Sequence, residues 1–256
     1  MNNIQNSLNL LNDFFAENKV NFWLEAGTAL AAYRDGKIFT WEHDIDVAIW
    51  RESMPVPGKF IRFFEREGYE VIFQRNYPFI DNIIQLRVKQ GFQEKLFDID
   101  IYLYSRKKGN AYMRWINKPE GKFSKQKKFI LTILNCLINP KSKKWKNISS
   151  LIPNLIVKNI FKLFLKYHIN NSKCIYHRFP EEYFLNLIKI DFYGFKVNIP
   201  SNTEDFLTHR YGSNWRTPDS NFNQTGKWKK SAARIELEMS LLPLPEFDQS
   251  IIYFNE

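Results

Sequence analysis

Two short segments, WEHDIDVAIW at positions 41–50 and KLFDIDIYLY at 95–104, constrain this chain more than any other feature. From Asp44 to Trp50 the side chains alternate, with Ile45, Val47 and Ile49 on one face and Asp44, Asp46 and Ala48 on the other. Period two is the signature of a β-strand, so the two carboxylates project the same way. In the second segment Asp98 and Asp100 share a face opposite Phe97, Ile99 and Ile101. Two adjacent strands carrying such pairs gather three or four carboxylates at one place. Like charges held that close raise each other's pKa, and a cation removes the penalty. Mg²⁺, or Mn²⁺ in its place, takes oxygen ligands and bridges to substrate phosphates. The pattern therefore predicts metal ligands at Asp44, Asp46, Asp98 and Asp100 and chemistry at phosphorus. The competing reading makes each pair the solvated face of an edge strand. Recurrence of the pair, after an upstream Gly-Thr turn, argues against it.

That upstream segment is WLEAGTALAAYRDG. Phe22 to Glu25 reads as a short strand, Gly27 and Thr28 as a turn, and the residues through Arg34 as a helix. A glycine at a strand-to-helix turn exposes backbone N–H groups to a phosphate, which makes Gly27 and Thr28 candidate donor-binding residues. Arg34 is a third, because a guanidinium can clamp a phosphate with two hydrogen bonds. His43 lies within the motif and reads as a strand-end residue.

Other elements follow from the same patterns. Leu8, Leu11, Phe14 and Phe15 recur at helical spacing within residues 4–18. A helix is expected from about Lys59 to Glu67, ended by Gly68. Tyr69 to Arg75, Asn82 to Lys89 and Leu96 to Tyr104 read as strands joined too closely for helical crossovers, hence antiparallel.

Charge is regional. Between Arg106 and Asn170 stand 16 Lys or Arg and one acid, Glu120, so that stretch carries +15 and leaves −5 for the remainder of a chain whose total is +10. Such a stretch points to an acidic or phosphorylated partner for one face. Within it, Lys158, Lys162 and Lys166 recur every fourth residue among apolar side chains, the pattern of a helix lying on an anionic membrane. The bland alternative is a core-packed helix with solvated lysines. The apolar runs Phe129 to Ile138 and Leu151 to Val157 fall short of the roughly 20 residues that span a bilayer. The N-terminus lacks the basic start of a cleavable signal. Cys136 and Cys174, without Cys or His at ligand spacing, read as two reduced thiols. A cytoplasmic protein, peripheral on the inner face of the cytoplasmic membrane, is the expectation.

At this point the residues resemble a known family. A Gly-Thr turn, an Arg six residues on, Trp-x-x-Asp-Ile-Asp, a later Asp strand, and the C-terminal HRYGSNWRTPD are similar to the LicD/fukutin branch of the nucleotidyltransferase superfamily. The resemblance implies an α+β fold: a nucleotidyltransferase-like core with a short mixed β-sheet flanked by helices, and here a basic helical insertion or second lobe. The change to Lys-rich segments after Ser105, a stretch the resemblance does not cover, divides the chain into a catalytic core at 1–105, a basic helical region at 106–178 that is membrane- or acceptor-facing, and a C-terminal part at 179–256 that completes the core and substrate pocket. The resemblance makes Gly27 and Thr28 the nucleotide-phosphate turn, Asp44 and Asp46 the metal-binding pair, Asp100 the third carboxylate and Asp98 an additional candidate. Two departures stand out: Ala26-Gly27-Thr28 where the family often has Gly-Gly-Thr, and Glu42-His43-Asp44 where it has three acids.

The function so implied is metal-dependent transfer of a phospho-substituent, such as phosphocholine or a polyol phosphate, from a CDP-activated donor to a hydroxyl of a cell-surface glycan. Lipopolysaccharide or capsule is the type of acceptor expected, and CMP is released. Catalysis falls to Asp44, Asp46 and Asp100, with Tyr211, Gly212 and Trp215 shaping a pocket or forming a packed turn. Two rivals remain open: nucleotidyl transfer with release of pyrophosphate, as in toxins or antibiotic-modifying enzymes, and a non-enzymatic basic module that binds membrane or nucleic acid. No nucleic-acid partner is expected, since no recognition motif is present and the acidic remainder repels a polyanion.

Overall fold

The structure is a computed structural model; it describes residues 3–76, 80–118, 173–219 and 232–238, together with part of 126–167. Lys158, Lys162 and Lys166, expected on a lysine stripe, the side chain of Cys174 and the tail beyond 238 lie outside the described residues. The chain divides into two compact units, one formed by 1–74, 81–114 and 176–235 and the other by 75–80, 115–175 and 236–256.

The first unit is a mixed sheet with helices packed on it. Helix α1 (Asn3–Glu17) buries Leu8, Leu11, Phe14 and Phe15. Strand β1 (Trp23–Leu24) leads into α2 (Ala26–Arg34), and β2 (Asp44–Trp50) follows. Helix α3 (Pro57–Arg66) starts on a proline, whose missing N–H costs nothing in a first turn. It buries Phe60 and Phe64 one turn apart against Phe14, with ring centroids 5.3 and 5.1 Å away. Gly68, at φ 101°, ends that helical segment, and a side chain there would meet the Phe92 ring at 2.5 Å.

Strands β3 (Tyr69–Asn76), β4 (Ile80–Val88) and β5 (Asp98–Lys107) come next. The expected antiparallel pairing holds for β4 and β5, with Ile84 opposite Ile101 and Gln85 opposite Asp100. On its other edge β5 runs parallel to β2, in a register that sets Asp44 beside Asp98 and Asp46 beside Asp100. From Ile45 to Trp50 and from Ile99 to Tyr104 the two strands are buried on both faces, which explains their near-continuous apolar runs. Among the described strands the order is β1-β2-β5-β6-β7-β10, and β3 joins through β4, which pairs with β5.

The basic stretch, expected to be helical, opens as a strand. Lys108 and Gly109 take φ values of 50° and 71°, the left-handed pair of a tight hairpin, and turn β5 back into β6 (Asn110–Lys118). Helix does appear further on, in α4 (Lys143–Ser150), whose first turn is capped by Ser142 accepting from the Trp145 amide.

Strand β7 (Lys173–Pro180) precedes a separate hairpin of β8 (Leu187–Phe192) and β9 (Phe195–Pro200). Helix α5 (Thr203–Tyr211) stops at Gly212, and β10 (Arg234–Glu238) closes the described sheet. Within unit one Asn198 of β9 donates to the Phe22 carbonyl at 2.8 Å, tying this hairpin to the approach of β1.

Candidate active site

The site begins with the parallel register of β2 and β5. Each strand starts on an aspartate, so four carboxylates lie at the same end of two neighbouring strands. Asp44, Asp46 and Asp100 each present an oxygen within 4.8 Å of the others. Asp46 and Asp100 are buried, at 7% and 8% exposure, and Asp44 is half-buried. Asp98 is turned to other work: it accepts the Val88 amide at 2.8 Å and lies 3.7 Å from the Arg87 guanidinium. The structure thus brings together three of the four aspartates named from sequence and leaves Asp98 beside them.

Electrostatics follow from that crowding. Burial, and then the neighbouring Asp100 and Glu42 charges, push Asp44 from 3.8 up to about 6. Burial drives Asp46 well above its ordinary value, with Asp44 and Asp100 adding to the effect. Asp100 is raised by burial too, while Arg87 and Gln85 oppose the shift. Glu42 is raised by burial. Four acids that all resist ionisation describe a place that favours a cation.

The Gly-Thr turn meets this cluster directly. A side chain at Gly27 would come within 2.8 Å of a Glu42 carboxylate oxygen and 3.7 Å of Asp46, so only glycine leaves this face of the helix open to the carboxylates. The amides of Ala26, Gly27 and Thr28 belong to the first turn of α2, where the helix itself supplies no acceptor. Thr28 is buried, and its hydroxyl accepts the Asp46 amide at 2.8 Å. It therefore fixes the strand that carries the ligand, and cannot at the same time cap its helix, whose N-cap position belongs to Glu25. Arg34 is engaged away from the trio, with a bidentate pair to Asp35 at 2.9 and 2.8 Å and a bond to the Trp215 carbonyl at 3.0 Å. His43 is exposed.

Several participants were not singled out from sequence. Tyr102, two residues along from Asp100, donates to Asp46 at 3.1 Å. Gln85 donates to both oxygens of Asp100 at 3.3 Å, and Arg87 pairs with it at 2.7 Å. The alternation of Gln85 and Arg87 among the apolar residues of NIIQLRV was a readable signal, since it marks a polar strip on one face of β4. Deeper still, Glu25 is fully buried and ion-paired with Arg210, and it accepts from Tyr104 at 3.1 Å and Trp23 at 3.3 Å. Arg210 is the arginine of the Arg-Tyr-Gly motif, so that motif braces the start of α2 beside the carboxylates. Trp215 packs as a turn, donating to Thr208 at 3.1 Å.

All donors in the trio are oxygen atoms, with no thiolate or imidazole, and they suit a hard divalent cation such as Mg²⁺ or Mn²⁺. Fold and site together define a class: a mixed α+β protein with an oxygen-donor cluster on paired parallel strands. Residues 19–130 match the family model described as LicD/FKTN/FKRP, nucleotidyltransferase domain. The match contains all four aspartates and ends before Arg210. The chain is also 31% identical over 65 residues to "Uncharacterized protein RP689" of Rickettsia prowazekii (strain Madrid E), covering 25% of this chain and 24% of that protein. The match thus spans about a quarter of that curated relative's length. A solved structure of the lincosamide antibiotic adenylyltransferase LnuA, lincomycin-bound, aligns over 90% of this chain and 98% of its own at 14% identity and a TM-score of 0.41.

Proposed function

We propose that the chain is a metal-dependent phosphotransferase that moves a phospho-substituent from a CDP-activated donor to a glycan hydroxyl and releases CMP. The observation that supports it is the convergence of Asp44, Asp46 and Asp100 within 4.8 Å beside the open Gly27 face, inside a segment of LicD type. The carboxylates of Asp44, Asp46 and Asp100 would hold Mg²⁺ or Mn²⁺. A divalent cation held there would neutralise the donor diphosphate and the charge that develops on the leaving group. The first-turn amides of α2 orient the donor phosphates. Tyr102 and Thr28 fix Asp46 through its carboxylate and its amide, so that one ligand cannot swing away.

Asp100 accepts the proton of the attacking hydroxyl in this reading. Arg87 and Gln85 hold it in place for that proton. The acceptor oxygen forms its bond to the phosphorus distal to the nucleoside, the bond from that phosphorus to the bridging oxygen breaks, and CMP leaves.

The test is incubation with Mg²⁺ or Mn²⁺ and a panel of CDP-linked donors, alone and with candidate glycans, while CMP is measured. Donor-specific CMP release is expected, and Asp46→Asn should lower it by at least about a hundredfold, the scale of losing a principal electrostatic contact to the reaction. A near-normal rate in that variant removes Asp46 from the chemistry. Pyrophosphate release from a nucleoside triphosphate, with no CMP from any CDP donor, would replace the reading with nucleotidyl transfer.

A further inference from the structure

Sixteen large apolar side chains are exposed among the described residues, and nine of them fall between Phe129 and Tyr167, all in the second compact unit. The most exposed of these nine are Leu151 at 82%, Leu155 at 70% and Leu163 at 70%. Ile156, Ile160, Leu163 and Tyr167 have helical backbone and are spaced by four, three and four residues, which on a helix is a single stripe. That stripe is turned outward, at 51%, 49%, 70% and 56% exposure, whereas the neighbouring Val157 is buried at 4%. A core-packed helix would turn this apolar stripe inward.

Charge decides what suits this surface. The stretch from Arg106 to Asn170 carries +15, and the exposed Lys143, Lys144 and Lys146 of α4 immediately precede the apolar residues. A second copy of the chain would bring the same positive stretch against itself. A neutral apolar partner would leave the lysines without counter-charge. Large aliphatic side chains flanked by lysines match a bilayer with anionic headgroups, where the apolar residues enter the acyl boundary and the cations meet lipid phosphate. Among the described residues no helix is long and apolar enough to cross a membrane, so contact of this kind is peripheral.

We propose that the segment from Lys143 to Tyr167 is a docking surface for an anionic membrane, with Leu155, Ile156, Ile160 and Leu163 as the inserting side chains. The surface does not depend on the donor or the reaction, and its test uses neither.

The test is co-sedimentation of the full chain with vesicles of phosphatidylcholine alone or with about a third phosphatidylglycerol, where a few lysines at the headgroups account for at least a tenfold preference. Wild type is expected to prefer the anionic vesicles by at least about tenfold and to be weakened by added salt. Ile160→Glu with Leu163→Glu should abolish the binding, whereas Leu185→Glu, an exposed position outside the segment, should not. Glutamate is a good helix former and both positions are substantially exposed, so the fold should survive, as the thermal melt reports. If the melt shifts, the wild-type comparison of the two vesicle types decides by itself. Absence of vesicle binding overturns the proposal, as does equal binding to both types. Binding undiminished in a folded double variant also overturns it, since charge alone would then suffice. So does a wild-type dimer that this variant converts to a monomer.

Discussion

Ala26 is an alanine in a backbone conformation that alanine resists. Its φ of 45° lies in the left-handed region, where the Cβ crowds the carbonyl that follows, at a cost of roughly 1–2 kcal/mol relative to the right-handed form. The position opens α2 one residue before Gly27, so this strain is stored beside the carboxylates. The resemblance read from sequence puts a glycine here, and the structure gives the physical reason. Ala26→Gly is therefore expected to stabilise the fold. The gain is about 0.5–1 kcal/mol once the greater freedom of glycine in the unfolded chain is subtracted. For a chain of this length that is a rise of roughly 1–4 °C in Tm, measured by a thermal melt without metal. A fall would mean that the buried Ala26 methyl gives more in packing than it costs in strain.

At the scale of elements, α5 and the start of α2 meet through Arg210 and Glu25, both in the first compact unit and both buried. Removing one partner leaves a charge with no counter-charge away from water. Arg210→Met is expected to cost about 3–5 kcal/mol in chemical denaturation. The double variant Glu25→Gln with Arg210→Met should recover most of it, because Trp23 can still donate to the glutamine oxygen while the Tyr104 hydroxyl accepts from the glutamine NH2. A double variant no more stable than Arg210→Met alone would show that shape, not charge, sets the cost. This junction also marks what could be read beforehand. The helices over Leu8–Phe15 and Phe60–Phe64 and the strands carrying the aspartate pairs followed from periodicity, which is local. The pairing of β2 with β5 was anticipated only as a possibility, because register is set by packing between distant segments. Glu25 read as one acid at the end of an apolar strand, and Arg210 as part of a motif. Nothing local in either segment says that they meet across 185 positions. The hairpin at Lys108-Gly109 is signalled only by its turn glycine, a cue that the charge of the surrounding lysines does not carry.

For the whole molecule the carboxylate cluster is a conflict between stability and chemistry. Without a cation, Asp44 titrates near 6 in the fold against an ordinary 3.8, and Asp46, Asp100 and Glu42 shift the same way. A carboxyl raised on folding binds more protons in the native state than in the unfolded chain. Its contribution to stability is full below 3.8 and is lost as pH rises through about 6. For Asp44 alone the loss is on the order of 3 kcal/mol, from 1.36 kcal/mol per pKa unit. A divalent cation bound to the ionised trio reverses this, since it binds the folded state and only once the ligands have lost their protons. The expected result is a Tm that falls from about pH 4 to pH 7 in chelator, and a rise on adding Mg²⁺ or Mn²⁺ that is small near pH 4.5 and large at pH 7.5. Asp46→Asn should do the opposite, remaining stable at neutral pH in chelator and gaining little from the cation. The Asn oxygen can still accept from Tyr102, and the Thr28 bond uses only backbone, so this substitution removes charge with little loss of packing. A cation-induced shift of equal size at both pH values would place binding elsewhere on the molecule, because ligands protonated at the lower pH could not have held it.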